Sequence, residues 1–160
     1  MSNTPTIIIG IDPDSEAHGV AMFKVDGICK LQCLTLVELF EIIKFNSDEV
    51  FEAHMENVCG NNATFQKRGI HNQRATTNVS RSLGKCQQSQ IELERVFKHL
   101  GVKVVLHPIS KNWKAASIGK KALEKYTGWT GRSNEDTRSA AYFGWLGCKV
   151  NKWHTINHQK

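Results

Sequence analysis

The chain lacks the cysteine pairs and the long apolar runs that would place it in several large protein classes. Its five cysteines include no C-x-x-C pair, which argues against both a disulfide framework and a zinc ribbon. The apolar runs are short, such as residues 7–9, and fall far below the ~20 residues of a membrane-spanning helix. No basic segment precedes the first apolar run, as it would in a secretory signal. We therefore expect reduced cysteines, no membrane association and a cytoplasmic location.

Positive charge exceeds negative charge and is concentrated in two stretches. The 160 residues include 21 Lys and Arg against 15 Asp and Glu, a net charge of +6. Such an excess suits a polyanionic partner, although many basic proteins share it. The first stretch contains Lys67, Arg68, Arg74, Arg81 and Lys85, and the second contains Lys111, Lys114, Lys120, Lys121 and Lys125.

Hydrophobic periodicity and turn signals predict one α/β domain over residues 1–160, with a frayed tail at 151–160. The first three strands follow one another through tight turns, as in an antiparallel meander. The predicted strands are 6–12, 18–25, 28–35, 50–55 and 102–106. The predicted helices are 36–45, about 74–100, 110–126 and 134–150, with a long exposed loop at 57–72.

Four acidic residues lie where predicted elements begin or end. Asp12 follows the first strand and Glu56 the fourth, while Glu135 and Asp136 open the last helix. Mg²⁺ prefers oxygen ligands and keeps several waters, so carboxylates from separate elements suit it. Two such ions, ~3.5–4 Å apart, can activate water and stabilise the leaving oxygen of a phosphodiester. Taken singly, each acid is more commonly a turn, surface or helix-dipole residue.

The fourth strand makes Glu56 a stronger candidate than an isolated acid. Alternation along residues 50–56 places Glu52, His54 and Glu56 on one face of the strand. Two acids and a histidine on one face require an explanation. A histidine inside a strand is more often a core residue than a catalytic one, and we interpret His54 and His107 as structural.

Several segments, taken in order, resemble the RuvC family of Holliday junction resolvases, especially its shorter phage-type members. Residues 8–15, followed by His18 to Ala21, resemble the opening motif that carries the first metal-binding aspartate. Residues 54–58 resemble the segment of the second ligand, and residues 82–102 the long helix after the loop. His107-Pro108 with Trp113-Lys114 resembles a stretch of the phage members, and residues 136–147 resemble the final Asp-x-x-Asp-Ala helix. The resemblance spans roughly residues 6–148.

This resemblance implies an RNase H-like fold, with a mixed five-stranded sheet flanked by helices and its first three strands antiparallel. It implies an endonuclease that resolves four-way junctions or other branched DNA with Mg²⁺, or Mn²⁺ as substitute, at two ions per active site. The implied metal ligands and catalytic residues are Asp12, Glu56, Glu135 and Asp136, with Lys114 as a further catalytic residue. A homodimer is implied because paired cuts across a two-fold symmetric junction require two sites. The implied setting is the cytoplasm of a bacterium or of a phage-infected host cell.

The sequence departs from the family pattern at two positions. Asp14 replaces the usual glycine after Asp-Pro, which aspartate tolerates because it can adopt left-handed backbone conformations. Ser139 stands where the last helix usually provides its second aspartate, if Asp136 takes the first of the two positions. If Asp136 takes the second, Ser133 occupies the first. In both cases the site is less acidic than usual unless Glu135 replaces the missing acid.

Binding of a phosphodiester substrate calls for cations near the acids. Lys111 and Lys114 are the leading candidates, because the family's lysines in this region approach the scissile phosphate. Phe65, beside Lys67 and Arg68, has the character of a residue that stacks on unpaired bases at a junction. The full set of predicted DNA-binding residues is Phe65, Lys67, Arg68, Arg74, Arg81, Lys85, Lys111, Lys114, Lys120 and Lys121.

Three alternatives remain open on the sequence. The first is a protein that binds branched DNA without cutting it, because the acid absent at Ser139 weakens the metal site. The second is a general structure-selective DNase. The third is the actin-like kinase and ATPase fold, which also begins with a Gly-Ile-Asp strand and a hairpin but needs a second domain that 160 residues cannot hold.

Overall fold

The computed structural model describes residues 4–60 and 73–153, with side chains in the second segment from Thr77 onward. Its strands are β1 (Ile7–Asp12), β2 (His18–Lys24), β3 (Gly27–Leu34), β4 (Phe51–Glu56) and β5 (Lys103–His107). Its helices are α1 (Leu36–Phe45), α2 (Gln73–His99), α3 (Ala116–Thr127) and α4 (Glu135–Val150), and Val58–Gly60 form a short 3-10 turn.

The five strands form one mixed sheet in the order β3-β2-β1-β4-β5. β1 pairs antiparallel with β2, and β2 pairs antiparallel with β3. β4 lies parallel to both β1 and β5. The α/β prediction, with its mixed sheet and three antiparallel opening strands, is therefore confirmed.

Strand alternation divides the interior into two cores, one on each face of the sheet. Ile9 and Ile11 of β1 point to a core that α1 and α2 cover, while Ile8 points to the opposite core beneath α3 and α4. Because side chains alternate along a strand, Asp12 shares a face with Ile8 and faces the α3 and α4 layer. The candidate acid thus ends a buried strand on the side where the last helix packs.

α4 packs directly on the backbone of the central strands. A Cβ atom at Gly10 would overlap the carbonyl oxygen of Ala140, so only glycine allows the helix this close to β1. The N-terminus of α4 is fixed by a capping box, in which the Asn134 side chain accepts from the Thr137 N–H at 2.8 Å. The Thr137 hydroxyl in turn accepts a hydrogen bond from the Asn134 N–H at 2.9 Å and donates one to the Asn134 carbonyl oxygen at 3.2 Å. The first turn of α4 is consequently held above the end of β1.

Among the side chains of α2 described from Thr77 onward, those buried in the core lie toward its C-terminal end. Leu93 and Phe97 are fully buried against the sheet, whereas residues 77–82 are exposed. The segment that the sequence assigns to a frayed tail begins with contacts to the domain, because Trp153 packs on the α3 and α4 core. Within the described residues, no helix combines the length and the apolar character needed to cross a bilayer.

The largest departure from the predicted elements lies before α3. We expected a helix from residue 110, but α3 begins at Ala116. Trp113 adopts a left-handed backbone with φ of 64°, which no right-handed helix contains. Residues 108–115 instead form an irregular connection that carries Lys114.

Candidate active site

Asp12 and Glu56 end two neighbouring parallel strands. β1 and β4 pair in register up to Ile11 with Met55, so the next residue of each strand lies at the same edge of the sheet. Both side chains are buried, with relative exposures of 5% for Asp12 and 3% for Glu56. Two carboxylates therefore sit together in a poorly hydrated position, as the placement of acids at strand ends predicts.

The proximity of the two acids changes the protonation of Glu56. Burial, reinforced by the negative charge of Asp12, raises the pKa of Glu56 to about 7. The Lys114 ammonium and a hydrogen bond from the Ser110 N–H at 3.2 Å oppose this rise only in part. Ionisation of Glu56 is unfavourable here because water cannot screen the second charge.

Lys114 brings a cation to the same place. Its Nζ lies 3.3 Å from Asp12 Oδ2 and is about a quarter exposed. Burial lowers the pKa of Lys114, but the charges of Asp12 and Glu56 more than reverse this and raise it overall. The contact has ion-pair distance without hydrogen-bond geometry, since the buried Asp12 Oδ2 accepts no hydrogen bond within the described residues.

The first turn of α4 contributes a third acid. Asp136 is half-buried, and burial together with the charges of Asp12, Asp14 and Glu135 raises its pKa. The N-terminus of a helix favours negative charge, which partly offsets this repulsion. Glu135 is exposed, and its negative charge contributes to the raised pKa of Lys114.

Ser139, the position of the missing acid, lies deeper in the same helix. It is fully buried, and its hydroxyl has no hydrogen-bond partner within the described part of the chain. Ser133, the other candidate position, accepts a 3.4 Å hydrogen bond from Nη1 of Arg138. Neither serine adds negative charge to the described site.

These acids open into a cleft of about 510 Å³ between the sheet edge and α2. Its wall includes residues of α2 that sequence reasoning did not connect with the site. The lining residues are Asp12, Pro13, Asp14, Glu56, Val58, Asn78, Val79, Ser82, Leu83, Cys86, Lys114 and Asp136. The i, i+3 and i+4 spacing of the α2 residues marks one helix face, but nothing in the sequence indicates what that face borders.

The donors in this cleft fit a hard divalent cation. Asp12, Glu56 and Asp136 offer carboxylate oxygens from three elements, and no donor within the described residues forms a hydrogen bond to the buried Asp12 Oδ2. Mg²⁺ uses few carboxylates and retains waters. Over residues 4–60 and 73–153, no group of three or more His, Cys, Asp or Glu side chains is placed to hold a metal ion by itself.

The predicted DNA-binding residues fall into three groups. Lys114 lines the cleft, and exposed side chains are found at Arg81, Lys85, Lys111, Lys120 and Lys121. Arg81 and Lys85 lie in the same stretch of α2 that forms the cleft wall. Arg74 lies in the first turn of α2, and its side chain is outside the described set, as are Phe65, Lys67 and Arg68.

A second polar group beneath α4 accounts for His54 and His107. Glu52 Oε1 lies 2.8 Å from His54 Nε2, and His54 Nδ1 lies 2.8 Å from His107 Nε2. Asn151 Nδ2 donates to the same Glu52 oxygen at 2.8 Å. Burial lowers the pKa of His54 despite the opposing effect of Glu52, and it also lowers the pKa of the half-buried His107, so both histidines act as neutral hydrogen-bonding groups. Strand alternation brought Glu52 and His54 together, but sequence gave no sign of the partner at His107.

Comparisons with known proteins add evidence on the fold. No protein-family model matches the sequence, and no curated protein matches it. Among solved structures, Thermus thermophilus RuvC in complex with a Holliday junction substrate is similar, with a TM-score of 0.58 and 10% identity over 93% of this chain and 97% of that chain. A second structure of Thermus thermophilus RuvC gives a TM-score of 0.56 and 10% identity, covering 92% and 97%. The chain therefore has the RNase H-like fold of these structures.

Proposed function

We propose that this protein is a metal-dependent endonuclease that cuts branched DNA, with the four-way junction as its principal substrate. One observation carries the proposal: Asp12 and Glu56 are buried side by side at the ends of two parallel strands, where burial and the charge of Asp12 raise the pKa of Glu56. A fold that buries two carboxylates together gains little stability from them. The free-energy cost of burying the two carboxylates together is offset if a cation binds between them.

Asp12, Glu56 and Asp136 would hold Mg²⁺ or Mn²⁺, with Asp14 and Glu135 as neighbouring acids whose charges reach Asp136. When bound, such ions lower the pKa of an attacking water and neutralise charge on the phosphate. Lys114 stands at Asp12 and is protonated because its pKa is raised. Its ammonium is placed to bind a phosphate oxygen and to stabilise the negative charge that grows as the phosphodiester is cleaved.

The charged surface around the cleft supports a nucleic acid substrate. Lysines and arginines on α2 and α3 provide contacts that do not depend on base sequence. The similarity to a structure solved with a Holliday junction favours branched DNA over uniform duplex. We further propose that the protein acts as a homodimer, since a two-fold symmetric junction presents two equivalent cleavage sites.

Cleavage of synthetic four-way junctions tests this function, with linear duplex and flap DNA as competing substrates. We expect the wild-type protein with Mg²⁺ to cut the junction, and Asp12→Asn to lose roughly 10³-fold or more of that rate because a ligand carboxylate is removed. Asp26→Asn is the matched control, since Asp26 is exposed in the β2–β3 turn at the opposite end of the sheet and Asn-Gly preserves that turn.

Equal cutting by wild type and Asp12→Asn would contradict the proposal. A specific alternative is favoured by Ser139, which is buried and contributes no charge where a further acid would strengthen metal binding. In that case the protein would bind the junction at low salt but leave it intact with Mg²⁺ and with Mn²⁺. Comparable cutting of flap and junction DNA would instead identify a general structure-selective DNase.

A further inference from the structure

Arg138 of α4 is a buried cation, and two of the three side-chain hydrogen bonds that it makes within the described residues lead to the segment that carries Lys114. Its side chain is 4% exposed, and none of the ion pairs in the described residues involves it. Removing a guanidinium from water without a carboxylate partner is unfavourable unless neutral oxygens replace the lost hydration. Its position therefore depends on the hydrogen bonds that it makes.

Two of those hydrogen bonds reach the backbone on both sides of the Lys114 Cα atom. Arg138 Nε donates to the Trp113 carbonyl at 3.0 Å, and Nη2 donates to the Lys114 carbonyl at 2.6 Å. These carbonyls belong to the peptide planes that precede and follow Lys114. One planar guanidinium thus fixes the orientation of both planes, and with them the direction in which the Lys114 side chain leaves the backbone.

The backbone that Arg138 contacts needs such support. Trp113 has a φ of 64°, a left-handed conformation that is rare for a bulky residue and persists only where its surroundings enforce it. The Trp113 ring is stacked on Tyr126 at 5.9 Å, which anchors the side chain. Its carbonyl is enclosed from the other side by Gly119, where a Cβ atom would overlap it. The ring, the glycine and the guanidinium together hold one backbone conformation.

We propose that Arg138 is a positioning residue, which braces the Trp113–Lys114 backbone so that the Lys114 ammonium stands at Asp12. The role assigned to Lys114 in cleavage rests on the proposed function, whereas the brace itself does not. α4 then supplies two parts of the site from its first turn: an acid at Asp136, and two residues later the group that orients the lysine.

Lysine acylation measured by mass spectrometry tests the brace without reference to cleavage. A limiting amount of acetic anhydride is added to the wild-type protein, to Arg138→Met and to Arg138→Lys, with exposed Lys111 as internal reference. We expect Lys114 to react severalfold faster, relative to Lys111, in Arg138→Met, because the ammonium is no longer held at Asp12. Arg138→Lys should fall between the two, since one ammonium cannot span both carbonyls. Arg95→Met, at an exposed arginine of α2, should match the wild type.

Single-turnover junction cleavage gives the second readout. We expect Arg138→Met to lower the rate by roughly 10- to 100-fold with unchanged junction binding, because a displaced catalytic group costs rate rather than affinity. In a Lys114→Met background the same substitution should have no further effect, since the brace acts through Lys114. An effect that remains in this background would overturn the proposal.

The acylation result separates failure of the brace from failure of the proposed function. A folded Arg138→Met protein with wild-type acylation of Lys114 would overturn the brace, whatever its activity. If both Arg138 variants fail to fold, Arg138 is a residue of global stability and the proposal is also overturned. A wild-type protein that cuts no DNA, together with faster acylation of Lys114 in Arg138→Met, would reject the nuclease and support the brace.

Discussion

Glu52 and Glu56 lie on the same face of β4 and are both buried beneath the α3 and α4 layer, yet their environments are opposite. Glu52 meets Asn151, His54 and the Lys103 ammonium, the last at 3.4 Å. Burial raises the pKa of Glu52, but the hydrogen bonds from Asn151 and His54 outweigh it and lower the pKa overall. The same burial raises the pKa of Glu56, whose nearest acid is Asp12.

The two glutamates differ in whether the surrounding residues stabilise the negative charge of the carboxylate. The negative charge of Glu52 is stabilised by hydrogen bonds from its neighbours, and it sets the tautomer of His54. His54 Nε2 donates a hydrogen bond to Glu52, so His54 Nδ1 accepts one from His107. Glu56 carries a charge that the fold has left short of partners. Only the second arrangement has capacity for an external cation.

Neutralising each glutamate should separate the two roles most sharply in activity. We expect Glu56→Gln to lower the junction cleavage rate roughly 10³-fold or more, because it removes one of the carboxylates that we propose as metal ligands. Glu52→Gln, measured well below its melting temperature, should retain cleavage within about tenfold, since Glu52 does not line the cleft. Single-turnover rates on one junction substrate make the comparison. A Glu52→Gln defect as large as that of Glu56→Gln would remove the distinction between the two acids.

For the free energy of unfolding we expect the opposite order, with Glu52→Gln more damaging than Glu56→Gln. Glu52→Gln should lower the free energy of unfolding by about 2 kcal/mol at neutral pH, because the amide cannot accept from all three donors and leaves a buried network incomplete. Glu56→Gln should preserve or increase stability in metal-free buffer near pH 8, because it removes an unfavourable buried charge. Urea denaturation of both variants beside the wild type provides the measurement. A destabilised Glu56→Gln would show that this charge is already compensated.

The smallest expected effect is the dependence of metal stabilisation on pH. The folded-state pKa of Glu56 is raised from 4.5 to about 7, so its contribution to stability is present at acidic pH and is lost as pH rises through that range. Metal ions bind the ionised carboxylates, so the gain from Mg²⁺ should increase over the same interval. We expect saturating Mg²⁺ to raise the melting temperature by about 2–4 °C more near pH 8 than near pH 5.5.

Thermal unfolding with Mg²⁺ and with EDTA at each pH measures this dependence, because pH effects at groups that do not bind the metal cancel in the difference. Glu56→Gln serves as the control and should show a smaller increase. If Mg²⁺ raised the melting temperature equally at both pH values, Glu56 would not be a metal ligand.

The sequence predicted the order of the elements and the shared face of β4, because both follow from local periodicity. Alternation places Glu52, His54 and Glu56 together in any strand of this register. Alternation cannot distinguish Glu52, whose carboxylate is stabilised by hydrogen bonds, from Glu56, whose pKa is raised. That distinction depends on Asn151 and on Asp12, which are distant along the chain and meet β4 only after the sheet and α4 have assembled.

The irregular segment before α3 escaped prediction for a related reason. Residues around Trp113 have adequate helix propensity, and no local sequence signal predicts the left-handed backbone conformation of Trp113. Its conformation is imposed by Arg138 and Gly119, which contact its carbonyl from two other parts of the chain. Tertiary contacts override propensity here, and they do so beside Lys114 in the candidate site.

The one-sided anchoring of α2 has a consequence for how the cleft opens. Amide protons near Leu93 and Phe97 can exchange with solvent only when the core unfolds, whereas those in the exposed residues 77–82 exchange when the first turns of the helix open alone. Since residues 78–83 form part of the cleft wall, we expect the width of the cleft to follow this local opening rather than the global unfolding of the domain. Such opening would widen the cleft without moving the acids at the ends of β1 and β4.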